Sequence, residues 1–358
     1  MSSPSSSPSS SSSPLSVHGW DDVLESEFAP HRAAGLVPAR ITGVDRGLCD
    51  AVTDDGPLRA ATAGLAACTG DWAALDPGTA GREPRLVALL PRRTAIVRSS
   101  AARDSHGQVL AANVDTVVVA VSLAVPLDAG RLERLLALAW ESGARPVVVL
   151  TKTDQAADPA EAIAEAAAAA PGVEVVATSA VTGEGMDALA ALLTGTVVLL
   201  GASGAGKSTL GNALLGGGTL ATGEVRDRDG KGRHTTVRRE LLPLPGGGVL
   251  IDTPGLRGVG LHDAADGIEQ VFAEIEELAG DCRFADCAHE AEPGCAVLAA
   301  IASGELPERR LTSYRKLLRE NAWAAARTDA RLRAERTERW KAIHRHQRAT
   351  YRFRERQR

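Results

Sequence analysis

The chain has 358 residues and a formal net charge of −5, which is long enough for two or three folded domains. Five cysteines in a chain of this size do not make a disulfide scaffold. No uncharged apolar stretch reaches membrane-spanning length, since even the alanine-rich run Ala156 to Ala170 carries Asp158, Glu161 and Glu165.

Residues 1–14 are nearly all Ser and Pro, too polar to pack, and read as a disordered tail. The tail has neither a cationic start nor an apolar core segment, so it does not read as a secretory signal, and a soluble cytoplasmic protein is expected. From Ala39 to about Val97, short β-type runs alternate with turn residues, as at Val44-Asp45-Arg46-Gly47 and Asp54-Asp55-Gly56-Pro57. This predicts a small all-β barrel, of the OB or the SH3-like kind. Within it, Cys49 and Cys68 read as inert core residues and Trp72 as a core tryptophan rather than a stacking platform. After Arg103 the pattern changes to strands alternating with helices: Val117 to Val121, a helix near Arg131 to Ser142, a strand at Pro146 to Leu150, then a helix from Pro159 capped by Asp158 and ended by Pro171-Gly172. Such alternation means a mostly parallel sheet with helices on both faces and a ligand at the strand C-termini.

The string Thr151-Lys152-Thr153-Asp154 follows the strand Pro146 to Leu150 and resembles the Asn-Lys-x-Asp base-reading motif of GTPases. A buried Asp154 would accept hydrogen bonds from guanine N1–H and the exocyclic amine while the Lys152 stem packs on the ring. Adenine has no such donor pair and would leave the carboxylate unpaired. Thr151 stands where Asn is usual, so one polar contact is expected to be shorter or lost. Thr178-Ser179-Ala180, after the strand Val173 to Ala177, resembles the remaining guanine loop. Read alone, either string is also compatible with a solvated turn.

Thr196 to Leu200 is an apolar β-type run that breaks into Gly201-Ala202-Ser203-Gly204-Ala205-Gly206-Lys207-Ser208, and Lys207 to Leu215 reads as a helix stopped by Gly216 to Gly218. Strand, glycine loop and helix N-terminus together are the context that G-x-x-x-x-G-K-[ST] requires. Gly201, Gly204 and Gly206 let backbone N–H groups close around phosphate oxygens at the helix N-terminus, and Thr209 continues that turn. Lys207 then reaches the β- and γ-phosphates and the Ser208 hydroxyl faces Mg²⁺. Downstream, Val249 to Ile251 form another buried-strand signal ending in Asp252-Thr-Pro-Gly255. Asp252 reads as the carboxylate that holds Mg²⁺, and Gly255 as a donor to the γ-phosphate. Between them, Gly232-Arg233-His234-Thr235-Thr236 lies where a switch loop carries its Mg²⁺-binding threonine, assigned to Thr236. The base-reading string precedes the phosphate loop, the reverse of the usual GTPase order, which implies circular permutation.

Cys282-x4-Cys287-x-His289-x5-Cys295 supplies three thiolates and an imidazole, a closed tetrahedral set suited to structural zinc. A catalytic thiol is the competing reading. Arg309 to Arg358 holds 17 Lys/Arg against 5 Asp/Glu, net +12, so the remainder carries −17. A basic helical tail on an acidic body points to a polyanion such as RNA, with Tyr314, Trp323, Trp340, Tyr351 and Phe353 as candidate base-stacking groups. A solvated helix with intrahelical ion pairs is the alternative.

These motifs in this order, with Leu110-Ala-Ala-Asn-Val-Asp-Thr116 at the entry to the α/β region, closely resemble the ribosome small-subunit-dependent GTPase A family, from about Ala39 to the C-terminal helices. The resemblance implies a multidomain fold: the Ser/Pro tail at 1–14, an N-terminal all-β OB-fold barrel with its lead-in at 15–103, a central α/β circularly permuted P-loop GTPase at 104–262, and a C-terminal zinc-binding, mainly helical domain at 263–358. It implies GTP/GDP, Mg²⁺ and one structural Zn²⁺ as ligands. The small (30S) ribosomal subunit and its 16S rRNA are the implied partners, with no membrane, no DNA and a monomeric chain expected. Leu256 stands where Ras-like proteins carry a water-orienting Gln, so slow intrinsic hydrolysis is expected, with His234 the candidate for positioning water once the subunit orders its loop. The alternatives are a zinc-containing RNA-binding module that uses nucleotide only as a conformational switch, and an ATP-using P-loop protein.

Overall fold

The computed structural model describes residues 13–98, 108–218, 220, 239–252 and 264–328. The chain forms two compact units, one of Met1–Ile96 with Val109–Gly258 and the other of Val97–Gln108 with Val259–Arg358.

The first unit begins with helices α1 (Pro14–Val17) and α2 (Asp22–Ala33). The lead-in is therefore helical, a point the β-rich reading of the region omits. Asp21 caps α2 by accepting from Leu24 N at 2.8 Å, and Leu24 and Phe28, one turn apart, bury their side chains. Strands β1 (Val37–Asp45), β2 (Leu48–Thr53), β3 (Gly56–Ala61), β4 (Trp72–Asp76) and β5 (Arg85–Leu89) close into a barrel of order β1-β2-β3-β5-β4. All its pairings are antiparallel except β3 with β5. This is the OB arrangement, and it resolves the choice that periodicity left open. Ala39, Ile41, Ala73, Leu75 and Leu86 fill the interior. On the other face of β4, Trp72 and Ala74 pack with Leu15, Leu24 and Phe28. Trp72 is thus a core residue, 2% exposed, with Trp20 edge-on to it at 4.9 Å.

After the short strands β6 (Ala95–Arg98) and β7 (Gln108–Ala112) come β8 (Thr116–Ser122), α3 (Ala129–Glu141), β9 (Arg145–Thr151), α4 (Pro159–Ala169), β10 (Glu174–Thr178), α5 (Met186–Leu192), β11 (Thr196–Gly201), α6 (Lys207–Leu214), β12 (Glu240–Pro243) and β13 (Val249–Asp252). The sheet order is β10-β9-β8-β11-β13-β12, parallel throughout except for the edge strand β12. Strands buried on both faces explain the unbroken apolar runs Val117 to Ala120 and Val197 to Leu200. The phosphate-loop strand β11 occupies the middle of the sheet although it comes fourth among these strands in the chain. Every carboxyl end of the parallel strands therefore opens on one edge, where such sheets bind ligands.

The barrel is locked to the opposite, amino end of the sheet. Arg40 of β1 is 2% exposed, donates to Thr196 Oγ1 at 2.8 Å and Asn113 O at 3.3 Å, and lies over the Trp72 ring at 4.6 Å. Burial pushes its guanidinium down to about 10, so it remains a cation at neutral pH. Asn113, with φ 52°, donates to Gly70 O and accepts from Arg93 N. Beside it the buried Asp71 carboxylate receives two bonds from Arg92, at 2.6 and 2.8 Å.

In the second unit, α7 (Ala265–Val271), α8 (Ala273–Gly280) and α9 (Ala296–Ser303) are followed by the long α10 (Glu308–Thr328). Arg310 of α10 is 2% exposed, binds Glu274 and Val271 O, and lies 4.4 Å from the Phe272 ring centroid. Tyr314 packs edge-on to Phe272 and donates to Glu276 at 2.5 Å. Desolvation, reinforced by that carboxylate, pushes its phenol upward. Tyr314 is therefore an anchor of α10 and not a base-stacking group, because the helix turns this ring toward α8. Trp323 is 51% exposed. Trp340, Tyr351 and Phe353 lie outside the described residues.

Candidate functional site

Three loops at the carboxyl edge of the sheet carry the predicted nucleotide residues. β9 ends at Thr151, Lys152 takes the left-handed conformation with φ 61°, and a 3₁₀ turn covers Thr153–Gln155. The Thr151 hydroxyl donates to Ala205 O at 2.8 Å. The threonine that stands where asparagine is usual thus tethers the Thr151–Asp154 loop to the Gly201–Gly206 loop. Asp154 is exposed rather than buried, lining an open pocket. Ser179 orients it by donating to Oδ1 at 2.6 Å. Thr178 and Ser179 are fully buried at the end of β10, and the Ser179 loop folds back so that Ser179 N donates to Glu184 O. Glu184 also accepts from Thr153 Oγ1 at 3.3 Å, joining the two base loops. Sequence reading missed Glu184, which has no motif and acts only through this fold-back.

Gly201 to Gly206 form a loop between β11 and α6. A Cβ on Gly201 would lie 2.4 Å from Ala120 O, so only glycine fits where the loop leaves the sheet. Lys207 Nζ turns over the loop and donates to Gly201 O at 2.9 Å and Ala202 O at 2.7 Å. No side chain caps the N-terminus of α6, so its first N–H groups point into the loop. A cavity of about 100 Å³ is shared by Thr151, Lys152, Asp154 and Ala180 of the base loops and by Gly206 and Thr209 of the phosphate loop. The base-reading and phosphate-binding segments, swapped along the chain, thus face one crevice.

Asp252 ends β13, three strands from Thr151 across the sheet. Its carboxyl is pushed above the usual carboxylate range by burial first and by Glu240 second, with the Lys207 cation pulling the other way. A desolvated carboxylate with a second carboxylate, Glu240, paired across from it fits a divalent-cation site. His234, Thr236 and Gly255 lie outside the described residues.

In the second unit Cys282, Cys287, His289 and Cys295 converge, their ligand atoms all within 4.8 Å of one another. Zinc with ordinary Zn–S and Zn–N bonds has tetrahedron edges of about 3.8 Å between sulfurs and about 3.6 Å from nitrogen to sulfur. The Cys282–Cys295 sulfurs are 3.9 Å apart, and His289 Nδ1 lies 3.6 and 3.4 Å from them, so the donor set fits that ion. The loop is shaped by two groups that no motif announces. Glu292's carboxyl is lowered to about 2, first by its own backbone N–H and then by those of Ala291, Ala288 and Glu290, from which it also accepts. Arg315 of α10 donates to the carbonyls of Ala288 and His289. Cys295 Sγ also accepts from Leu298 N at the start of α9.

A sequence model of the RsgA GTPase family matches residues 89–262. The small ribosomal subunit biogenesis GTPase RsgA of Streptomyces coelicolor is 61% identical over 338 residues, covering 91% of this chain and 92% of that protein. The protein of the same name from Opitutus terrae is 42% identical, covering 95% and 98%. Among solved structures, YjeQ from Thermotoga maritima superposes with a TM-score of 0.60 at 24% identity over 80% of this chain and 98% of that one. YloQ, described as a circularly permuted GTPase, gives 0.58 at 23% over 80% and 94%. At such identities these two likenesses speak for the fold.

Proposed function

The chain belongs to the RsgA GTPase family, and on that premise we propose that it hydrolyses GTP during late maturation of the small ribosomal subunit, binding the subunit and its 16S rRNA in the GTP state and leaving on hydrolysis. The observation that carries the reading is the single crevice shared by Asp154 and the phosphate loop. Asp154, held by Ser179, accepts from the guanine N1–H and amine, and Lys152 packs its stem on the ring. Thr151, through Ala205 O, keeps the purine and phosphate subsites at a constant separation. Lys207 exchanges its loop carbonyls for β- and γ-phosphate oxygens, while the N–H groups of Gly204 to Thr209 surround them. Ser208, Thr236 and Asp252 would hold Mg²⁺, which would supply charge neutralisation for the phosphates. Gly255 donates to the γ-phosphate, and His234 orients the attacking water. Hydrolysis without the subunit is slow because Leu256 cannot perform that task.

Cys282, Cys287, His289 and Cys295 would hold a structural zinc ion, four protein ligands leaving no place for a water. Among the described residues no helix is long and apolar enough to cross a membrane. The test is GTP turnover with purified small subunits, large subunits and neither. Selective stimulation by small subunits is expected, and equal rates in all three mixtures would reject the assignment. His234→Ala should abolish the stimulated rate with GTP affinity nearly intact, and a normal stimulated rate would remove His234 from the mechanism.

A further inference from the structure

Strand β12 is the one antiparallel member of the sheet, and its register places Glu240 directly opposite Asp252. Residues so paired project from the same face with Cβ atoms about 5 Å apart, and like charges in that relation destabilise the sheet. An exposed Glu240 carboxylate therefore stands beside the more buried Asp252 carboxylate, on the side where Lys207 also acts. The pairing is held in place from both ends. Leu241, Leu242 and Pro243 continue the register with β13, and the buried Thr69 of the barrel donates to the carbonyl of Arg239 at 3.4 Å. The strand thus maintains a like-charge pair that a divalent cation would relieve.

We propose that Glu240 is a positioning residue for the divalent cation: without ligating it, its carboxylate raises the affinity of the Asp252 site for Mg²⁺ through the cross-strand pairing. The inference rests on Asp252 being the cation's carboxylate. A unit charge about 8 Å from a double charge in water-like surroundings is worth about a factor of five in affinity. Because Glu240 is solvated, that factor shrinks as salt is added.

The experiment titrates Mg²⁺ into the full-length protein with a fluorescent GDP analogue at low and high ionic strength. Glu240→Gln should raise the Mg²⁺ midpoint about fivefold at low salt and less at high salt, and Glu240→Asp should restore most of it. With magnesium and nucleotide removed, Glu240→Gln should melt no lower than the parent chain, since one repulsion is gone. An unchanged Mg²⁺ midpoint in Glu240→Gln overturns the proposal. Asp252→Asn separates the two claims. If it shifts the midpoint strongly while Glu240→Gln does not, the role of Glu240 fails alone, and if neither variant shifts it, the reading of Asp252 fails as well.

Discussion

Gly70 is where the barrel closely approaches strand β7 and, through Ile251 of β13, the six-stranded sheet. Its φ is +93°, and a Cβ placed there would stand 2.2 Å from Ala112 O and 3.0 Å from Ile251 Cδ1. The obstructing atom at 2.2 Å is backbone, so it cannot swing aside as a flexible side chain would. In Gly70→Ala the two segments must separate, which loosens Ala112 N→Thr69 O at 3.1 Å and Asn113 Nδ2→Gly70 O at 3.0 Å. Positive φ for alanine costs about 1 to 2 kcal/mol and each weakened hydrogen bond about 1 kcal/mol, giving about 3 to 4 kcal/mol in all. For a unit of this size that lowers the melting midpoint by about 10 °C. Gly64→Ala is the control, because Gly64 shares a positive φ of 83° but has nothing within 4 Å of its Cβ position. It should lose only the backbone share, about 1 to 2 kcal/mol. The assay is differential scanning calorimetry of both variants beside the parent chain. Equal shifts for the two alanines would refute the close approach, and with it the rigid seating of barrel on sheet.

Thr151→Val keeps the side-chain shape but leaves Ala205 O without its 2.8 Å donor. GDP affinity should fall about tenfold, measured by fluorescence titration, and an unchanged affinity would show that the tether is dispensable. Cys282→Ser should reduce bound zinc from one ion per chain to nearly none by atomic absorption, whereas full zinc content would disprove the ligand set. Asp21 is held down to about 2, first by its hydrogen bonds to Arg93, below its ordinary 3.8. The stability it supplies is therefore fully present above about pH 4 and is lost as pH falls toward 2. Since the pair is nearly half exposed, that contribution stays under about 1 kcal/mol. Comparing the parent with Asp21→Asn at pH 6 and pH 2.5 checks the sign, as the difference should narrow in acid.

The sequence alone carried whatever depends on neighbours close along the chain. The phosphate loop, the zinc set, Asp158 as a helix cap and the strands entering each motif are local patterns, so their chemistry was readable before any fold. The swapped order of Thr151–Asp154 and Gly201–Ser208 also sufficed to imply a permuted sheet. Tertiary structure decided the pairings between distant segments: Arg40 beneath Thr196, Tyr314 turned onto Phe272, Glu184 beside Thr153, Glu240 across from Asp252. A strand's register and a helix's buried face are set by the sum of contacts across the whole core. No short string records that sum, which is why a side chain's chemistry was legible while its partner was not.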